Sequence, residues 1–185
     1  MWMMSIPKKS SKKSKVVKKI KLESKAKIRR RLFKLWSQKC MILNGNVCAT
    51  TGAVRGSVLD GKTVILDAHH IEGRQCQGLR YDVLNSIALA KGAHKFSRYS
   101  PHKGALWFGE WLRTHRPLQY AYVLAHRDDK IDLEDREVLY AIEAKLLAPV
   151  TSEEREIIGM PPIPSESQPL PSCSDTSHHL ASTPS

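Results

Sequence analysis

Apolar positions along the chain change their period several times, and each change marks an element. From Leu22 to Lys39 the residues Ile28, Leu32, Leu35 and Trp36 fall at helical spacing, with Arg29, Arg30 and Arg31 around them. This predicts an amphipathic helix that packs one stripe on a core and offers a basic face outward. Between Asn44 and Gly61 the chain turns polar and glycine-rich. Asn44-Gly45, Thr51-Gly52 and Asp60-Gly61 are turn signals, so short strands are expected there. Thr63 to Asp67 is β-branched and reads as a strand running into Ala68-His69-His70-Ile71. A polar loop follows, then a second short strand at Ser86–Leu89. Residues Ala93–Arg98 after Gly92 are expected to be helical.

The second half of the chain reads as helices. Leu106, Trp107, Trp111 and Leu112 predict one, and the aromatic group Trp107, Phe108, Trp111, Tyr120 and Tyr122 is read as core in preference to a base-stacking platform. Pro117 can open the next helix at its first turn, with Tyr120, Val123 and Leu124 on its apolar face. Asp132 is read as the cap of a further helix that buries Val138, Leu139, Ile142 and Leu146 and ends before Pro149. Ser152–Ile158 predicts a last short turn, stopped by Gly159. The division expected is a basic arm at 1–21, a domain with flanking helices at 22–130, an acidic helical segment at 131–159 and a Pro/Ser-rich tail at 160–185. The arm and the tail are too poor in apolar residues to fold alone and are expected to be disordered. The fold class expected is α+β.

Charge sharpens the reading. The chain has 185 residues and a formal net charge of +12. Residues 1–40 hold half of its 30 lysines and arginines and a single acid, Glu23, whereas the stretch from Ile131 onward is acidic. A basic arm ahead of a globular domain is the electrostatic footprint of nucleic-acid binding, because each phosphate contact releases a counterion. The four cysteines, Cys40, Cys48, Cys76 and Cys173, form no C-x-x-C pair and do not resemble a secreted disulfide framework. A cytoplasmic protein with reduced thiols is expected. The lysine-rich start has no apolar stretch typical of a signal peptide, and no run is long enough to span a membrane.

The chemistry concentrates in one ordered set: Asp67-Ala68-His69-His70-Ile71 on a strand, Asn85 just before the second strand, and His94 on the following helical segment. This order resembles the HNH (ββα-metal) nucleases, over roughly residues 47–100. In that family two antiparallel strands and a helix surround one divalent metal ion. The resemblance implies that His70 is the general base, that His69 and His94 are metal ligands, and that Asn85 holds the loop that orients His70. His102 is the nearest candidate for a third ligand. Asp67 either orients a ligand histidine or simply ends the strand. Adjacent residues on a strand point to opposite sides, so a turn is expected after Ile71 to aim both histidines at one site. The metal implied is a single Mg²⁺, Mn²⁺, Ni²⁺ or Zn²⁺.

One departure from the family is plain. Many members hold a structural zinc with two C-x-x-C pairs. Here the corresponding positions read Cys48-Ala49-Thr50-Thr51 and Ala90-Lys91-Gly92-Ala93. A closed zinc site needs four nitrogen or sulfur ligands, so no structural zinc is expected. Arg74, Arg80, Lys95 and Arg98 are candidate phosphate contacts, or else solvated surface charge. The layout is most similar to phage recombination nucleases of the NinG/Rap type, which implies a phage or mobile-element origin. DNA is the partner implied, and the sequence leaves the oligomeric state open. The alternatives are a nucleic-acid-binding module on a decayed nuclease scaffold and a structural RNA-binding protein, which would have no divalent site at His69 and His94.

Overall fold

The apolar stripe Ile28, Leu32 and Trp36 is fully buried on the first helix, α1 (Lys25–Leu43). The helix starts where the Ser24 hydroxyl accepts from the Lys27 amide, which satisfies one of the donors a helix start leaves free. It ends at Asn44, ahead of Gly45 in the left-handed region. The computed structural model describes residues 22–161. The expectations for the basic arm at 1–21, and for the tail from 162 onward, lie outside the described residues.

The described residues form an α+β fold. After α1 come two small antiparallel pairs: β1 (Val58–Leu59) with β2 (Lys62–Thr63), and β3 (Leu66–His70) with β4 (Ser86–Ala90). The register of the second pair sets Leu66 opposite Ala90, His69 opposite Ile87 and His70 opposite Ser86. The expected strand at Thr63–Asp67 therefore lies three residues later, and the histidine pair belongs to the strand itself. A 3₁₀ turn (Val83–Asn85) leads into β4, and a π-type turn (Gly92–Phe96) replaces the helix expected at Ala93–Arg98. Then follow α2 (Ala105–His115), α3 (Pro117–His126), α4 (Arg136–Leu147) and α5 (Ser152–Ile157).

Strand β4 is buried from Ser86 to Leu89, as a strand covered on both faces should be. Ile87, Leu89 and Leu66 pack with Cys40 and Met41 of α1 and with Phe108 and Leu112 of α2. A second cluster joins Ile28, Leu32 and Trp36 of α1 to Leu139 and Leu146 of α4, with Tyr81 and Leu133. A third joins Leu43, Val83 and Leu84 to Ile158. A buried polar chain crosses between these clusters. Arg116 donates to Asn44 (2.9 Å), and Gln119 donates to the carbonyls of Leu84 (2.8 Å) and Ser86 (2.9 Å). Among the described residues, no buried side-chain nitrogen or oxygen is left without a partner, which is the condition for burying such groups at tolerable cost.

Three expectations are corrected. The cap of α4 is Asp135, which accepts from the Glu137 amide; Asp132 instead makes a tight turn by accepting from the Glu134 amide. Trp107, Leu106 and Leu124 face outward, because the core stripe of α2 and α3 runs through Phe108, Leu112 and Val123. The basic face of α1 is partly neutralised. Arg29 bonds Glu134, and Arg31 bonds Glu143 and Glu23, so the acidic segment after Ile131 meets α1 directly. Arg30 and Lys34 remain exposed. Among the described residues, no helix is long and apolar enough to cross a membrane.

Candidate metal centre

Strand β3 turns His69 and His70 to opposite sides, as alternation requires. His69 faces His94, His102 and Phe108. His70 faces α1, where its ring stacks on Trp36 at 3.8 Å between centroids and 12° between planes. The turn expected after Ile71 to bring both rings to one side is not what the chain does: Ile71 continues the pairing, its amide donating to the Asn85 carbonyl. The two imidazoles thus flank the last residues of β3.

On the first side, three ring nitrogens converge. His94 Nε2 lies 3.1 Å from His69 Nδ1 and 3.0 Å from His102 Nε2. The three histidines offer one nitrogen each, all within 4.8 Å of one another. Nitrogens bound to one metal at about 2.1 Å would sit roughly 3.0–3.4 Å apart, so the two short separations suit a shared ion. His94 comes from the π-type turn and is buried, while His102 comes from the following loop and is exposed. Behind His94, its Nδ1 lies 3.0 Å from Asp67 Oδ2. With that nitrogen donating to the carboxylate, the neutral ring presents Nε2 as a lone pair toward its neighbours. A carboxylate behind a ligand histidine fixes its tautomer and raises its basicity. Burial is the largest cause that lowers the His69 pKa, to about 3, with the neighbouring His94, His102 and His70 adding to it. A neutral imidazole is the form that binds a metal. The three rings are therefore close enough to hold a metal ion.

On the second side, His70 Nε2 lies 2.9 Å from the Arg80 carbonyl. A carbonyl only accepts, so Nε2 carries the proton and Nδ1 is the free nitrogen of the neutral ring. Burial holds the His70 pKa below its ordinary value, the Arg80 carbonyl opposes this, and the charges of Arg74 and Arg80 add to the lowering. The loop that carries Arg80 is closed by Asn85, which is fully buried. Its Oδ1 accepts from the Glu72 amide at 2.7 Å, and its Nδ2 donates to the carbonyls of Glu72 (3.0 Å) and Leu79 (3.1 Å). Trp36 Nε1 adds a bond to the Asp82 carbonyl at 2.9 Å. The loop from Ile71 to Asp82 is thus pinned at both ends and from α1.

The basic candidates are spread around this centre. Arg74 is exposed and stands 5.2 Å over the Phe33 ring, and Arg80 is half-buried beside Tyr81. Lys95 and Arg98 are exposed near His94. A cleft of about 270 Å³ opens beside His69, with Glu72 and Pro101 at its sides and Phe108 and Leu112 in its wall. Cys48, the one thiol left at the C-x-x-C positions, is buried and its Sγ accepts from the Ala90 amide at 3.1 Å. Burial pushes the Cys40 thiol up to about 12, which makes it a poor ligand. Two participants had no clear signal in the sequence. Trp36 read only as a core residue, and Asp67 read equally well as a strand end.

Comparison with protein-family models, with curated proteins and with solved structures returned no match. The functional reading therefore rests on the geometry of the site.

Proposed function

We propose that the protein is a metal-dependent endonuclease that hydrolyses DNA phosphodiester bonds, with its centre built as in the ββα-metal (HNH) nucleases. The observation that carries this reading is the pairing of two features across one strand. A three-histidine, carboxylate-backed cluster stands on one side of β3, and a neutral imidazole with a fixed free nitrogen stands on the other.

Each residue then has a task that follows from its surroundings. His69, His94 and His102 would hold the ion, with Asp67 fixing the ring of His94. A bound divalent cation would supply Lewis acidity to the scissile phosphate and stabilise negative charge on the leaving 3′ oxygen. His70 acts as general base: its Nδ1 takes a proton from the attacking water as the oxygen forms its bond to phosphorus. The lowered pKa keeps it unprotonated near neutrality. The Arg80 carbonyl, bonded to Nε2, holds the ring and favours the imidazolium that forms. Asn85 and Trp36 are positioning residues, since they act on the loop and on the ring rather than on substrate. Because His69 and His70 stand on opposite sides, the phosphate that meets both must lie across the His70 end of β3. Arg74, Arg80, Lys95 and Arg98 would hold flanking phosphates, which positions a strand without reading its sequence.

The test is plasmid nicking by the full chain with Mg²⁺, Mn²⁺, Ni²⁺, Zn²⁺ or EDTA, beside His70→Ala. Cleavage that needs metal and falls by about 10²–10⁴ in the variant, with DNA affinity retained, is the expected result. Wild-type rates in His70→Ala would remove the base from that residue. Tight DNA binding with no cleavage of duplex, single-stranded or branched DNA in any metal would favour a binding protein on a nuclease scaffold.

A further inference from the structure

The aromatic part of a surface next to the histidine cluster is left unused by this mechanism. From Lys91 to Gly109 the chain carries Lys91, Lys95, Arg98 and Lys103 and no aspartate or glutamate. The first acid beyond it, Glu110, is paired with Arg113. The same stretch leaves large apolar groups in solvent: Phe96 is 69% exposed, Tyr99 43%, Trp107 38% and Leu106 93%. Tyr99 and Trp107 stand 5.0 Å apart with their planes at 42°, and the Arg98 guanidinium lies 4.5 Å over the Tyr99 ring. Beneath the pair a groove of about 200 Å³ reaches Thr50 and Thr51, whose hydroxyls could meet a polar edge. Since His94 and His102 belong to this stretch, the aromatic surface and the metal cluster share one piece of backbone.

Rings left in water beside cations, with no acid in their own stretch of chain, call for a partner that brings both negative charge and flat apolar faces. A DNA duplex offers the charge but keeps its base faces stacked inside. An unpaired strand offers both, and bases stacked on aromatic side chains contribute to binding whatever their sequence. An acidic protein offers both only where aromatic side chains flank its carboxylates, whereas every unpaired nucleotide carries a base and a phosphate together.

We propose that Phe96, Tyr99 and Trp107, with Lys95, Arg98 and Lys103, form a binding surface for unpaired nucleotides beside the histidine cluster, so that the preferred substrate carries a single-stranded segment next to the cleaved bond. The cleavage part of this statement rests on the nuclease reading; the binding part does not.

The experiment separates the two. Fluorescence anisotropy with the full chain in EDTA compares an oligothymidine of about 16 nucleotides with a blunt duplex of the same length. Phe96→Ser/Tyr99→Ser should weaken oligothymidine binding about tenfold and leave duplex binding within about twofold. Phe96→Tyr/Tyr99→Phe, which keeps the rings, should bind as wild type. If the double serine variant loses its thermal transition, Phe96→Ser alone, at the most exposed ring, serves in its place, with about threefold the expected loss. Equal losses on both DNAs, or none on oligothymidine, would overturn the proposal. Selective loss of oligothymidine binding in a protein that nicks no DNA would uphold this surface while removing the nuclease reading.

Discussion

Replacing Asn85 by alanine tests the link between loop and base. The side chain is fully buried and makes three hydrogen bonds, at 2.7, 3.0 and 3.1 Å, to backbone atoms of Glu72 and Leu79. A typical bond contributes about 1 kcal/mol net, and a buried group left unpaired costs about 1–3 kcal/mol. Three bonds lost together should cost about 3 kcal/mol, or nearer 2 if a water enters the space. Urea unfolding followed by circular dichroism reads this directly. With a slope of about 2 kcal/mol per molar urea, the midpoint should fall by roughly 1–1.5 M. The Arg80 carbonyl sits on the released loop and holds His70, so nicking should fall along with stability. Zinc binding by His69, His94 and His102 should persist, since none of them lies on that loop. A midpoint shift below about 0.3 M would refute the claim that Asn85 holds the loop. Loss of zinc binding in a folded variant would refute the separation between the two sides of β3.

Asp67→Asn should lower metal affinity about 10- to 100-fold by calorimetric titration, because the amide is a poorer acceptor for His94 Nδ1; an unchanged affinity would leave Asp67 as a strand residue only. The contact between α1 and α4 should weaken in acid. Hydrogen bonds from Arg31 hold Glu143 and Glu23 below the ordinary glutamate value of 4.5. A depressed carboxylate pKa contributes stability that is present above the unfolded value and lost as pH falls through the folded one. Melting temperature should therefore drop more steeply below about pH 4.5 in wild type than in Glu143→Gln, and parallel curves would count against the pairing.

How much of this the sequence revealed depended on how strongly each element was periodic. Ile28, Leu32 and Trp36 repeat at helical spacing and α1 followed, with its core face as expected. The apolar run at Ser86–Leu89 became β4. Strand β3 was misplaced because Asp67, His69 and His70 are polar, and β-branched Thr63 to Ile65 looked the better strand; pairing with β4 outweighed that preference. Asp132 was the expected cap and Asp135 takes the role instead, because either aspartate can cap a helix and the pattern alone does not separate them. Trp107 was assigned to the core on its type alone, yet the α2 stripe leaves it outside. His69, His94 and Asn85 were visible as an ordered set. His102 was only the next histidine along, because its loop has no period, and its place beside His94 is a product of the fold.

The stacking of His70 on Trp36 has a bearing on modularity. The strand pair with its two turns has the look of a cassette, a minimal unit that can be moved between hosts. Here the proposed base leans on a side chain of α1, and α1 is itself seated by Leu139 and Leu146 of α4, more than sixty residues further along the chain than His70. Elements from both halves of the described chain therefore support the wall behind one imidazole. A transplanted 47–104 segment would carry all of the ligands and the base, but not the surface that keeps the base still. On the proposed function, changes in activity should accordingly arise from substitutions at the α1–α4 seam as readily as from those beside the histidine cluster.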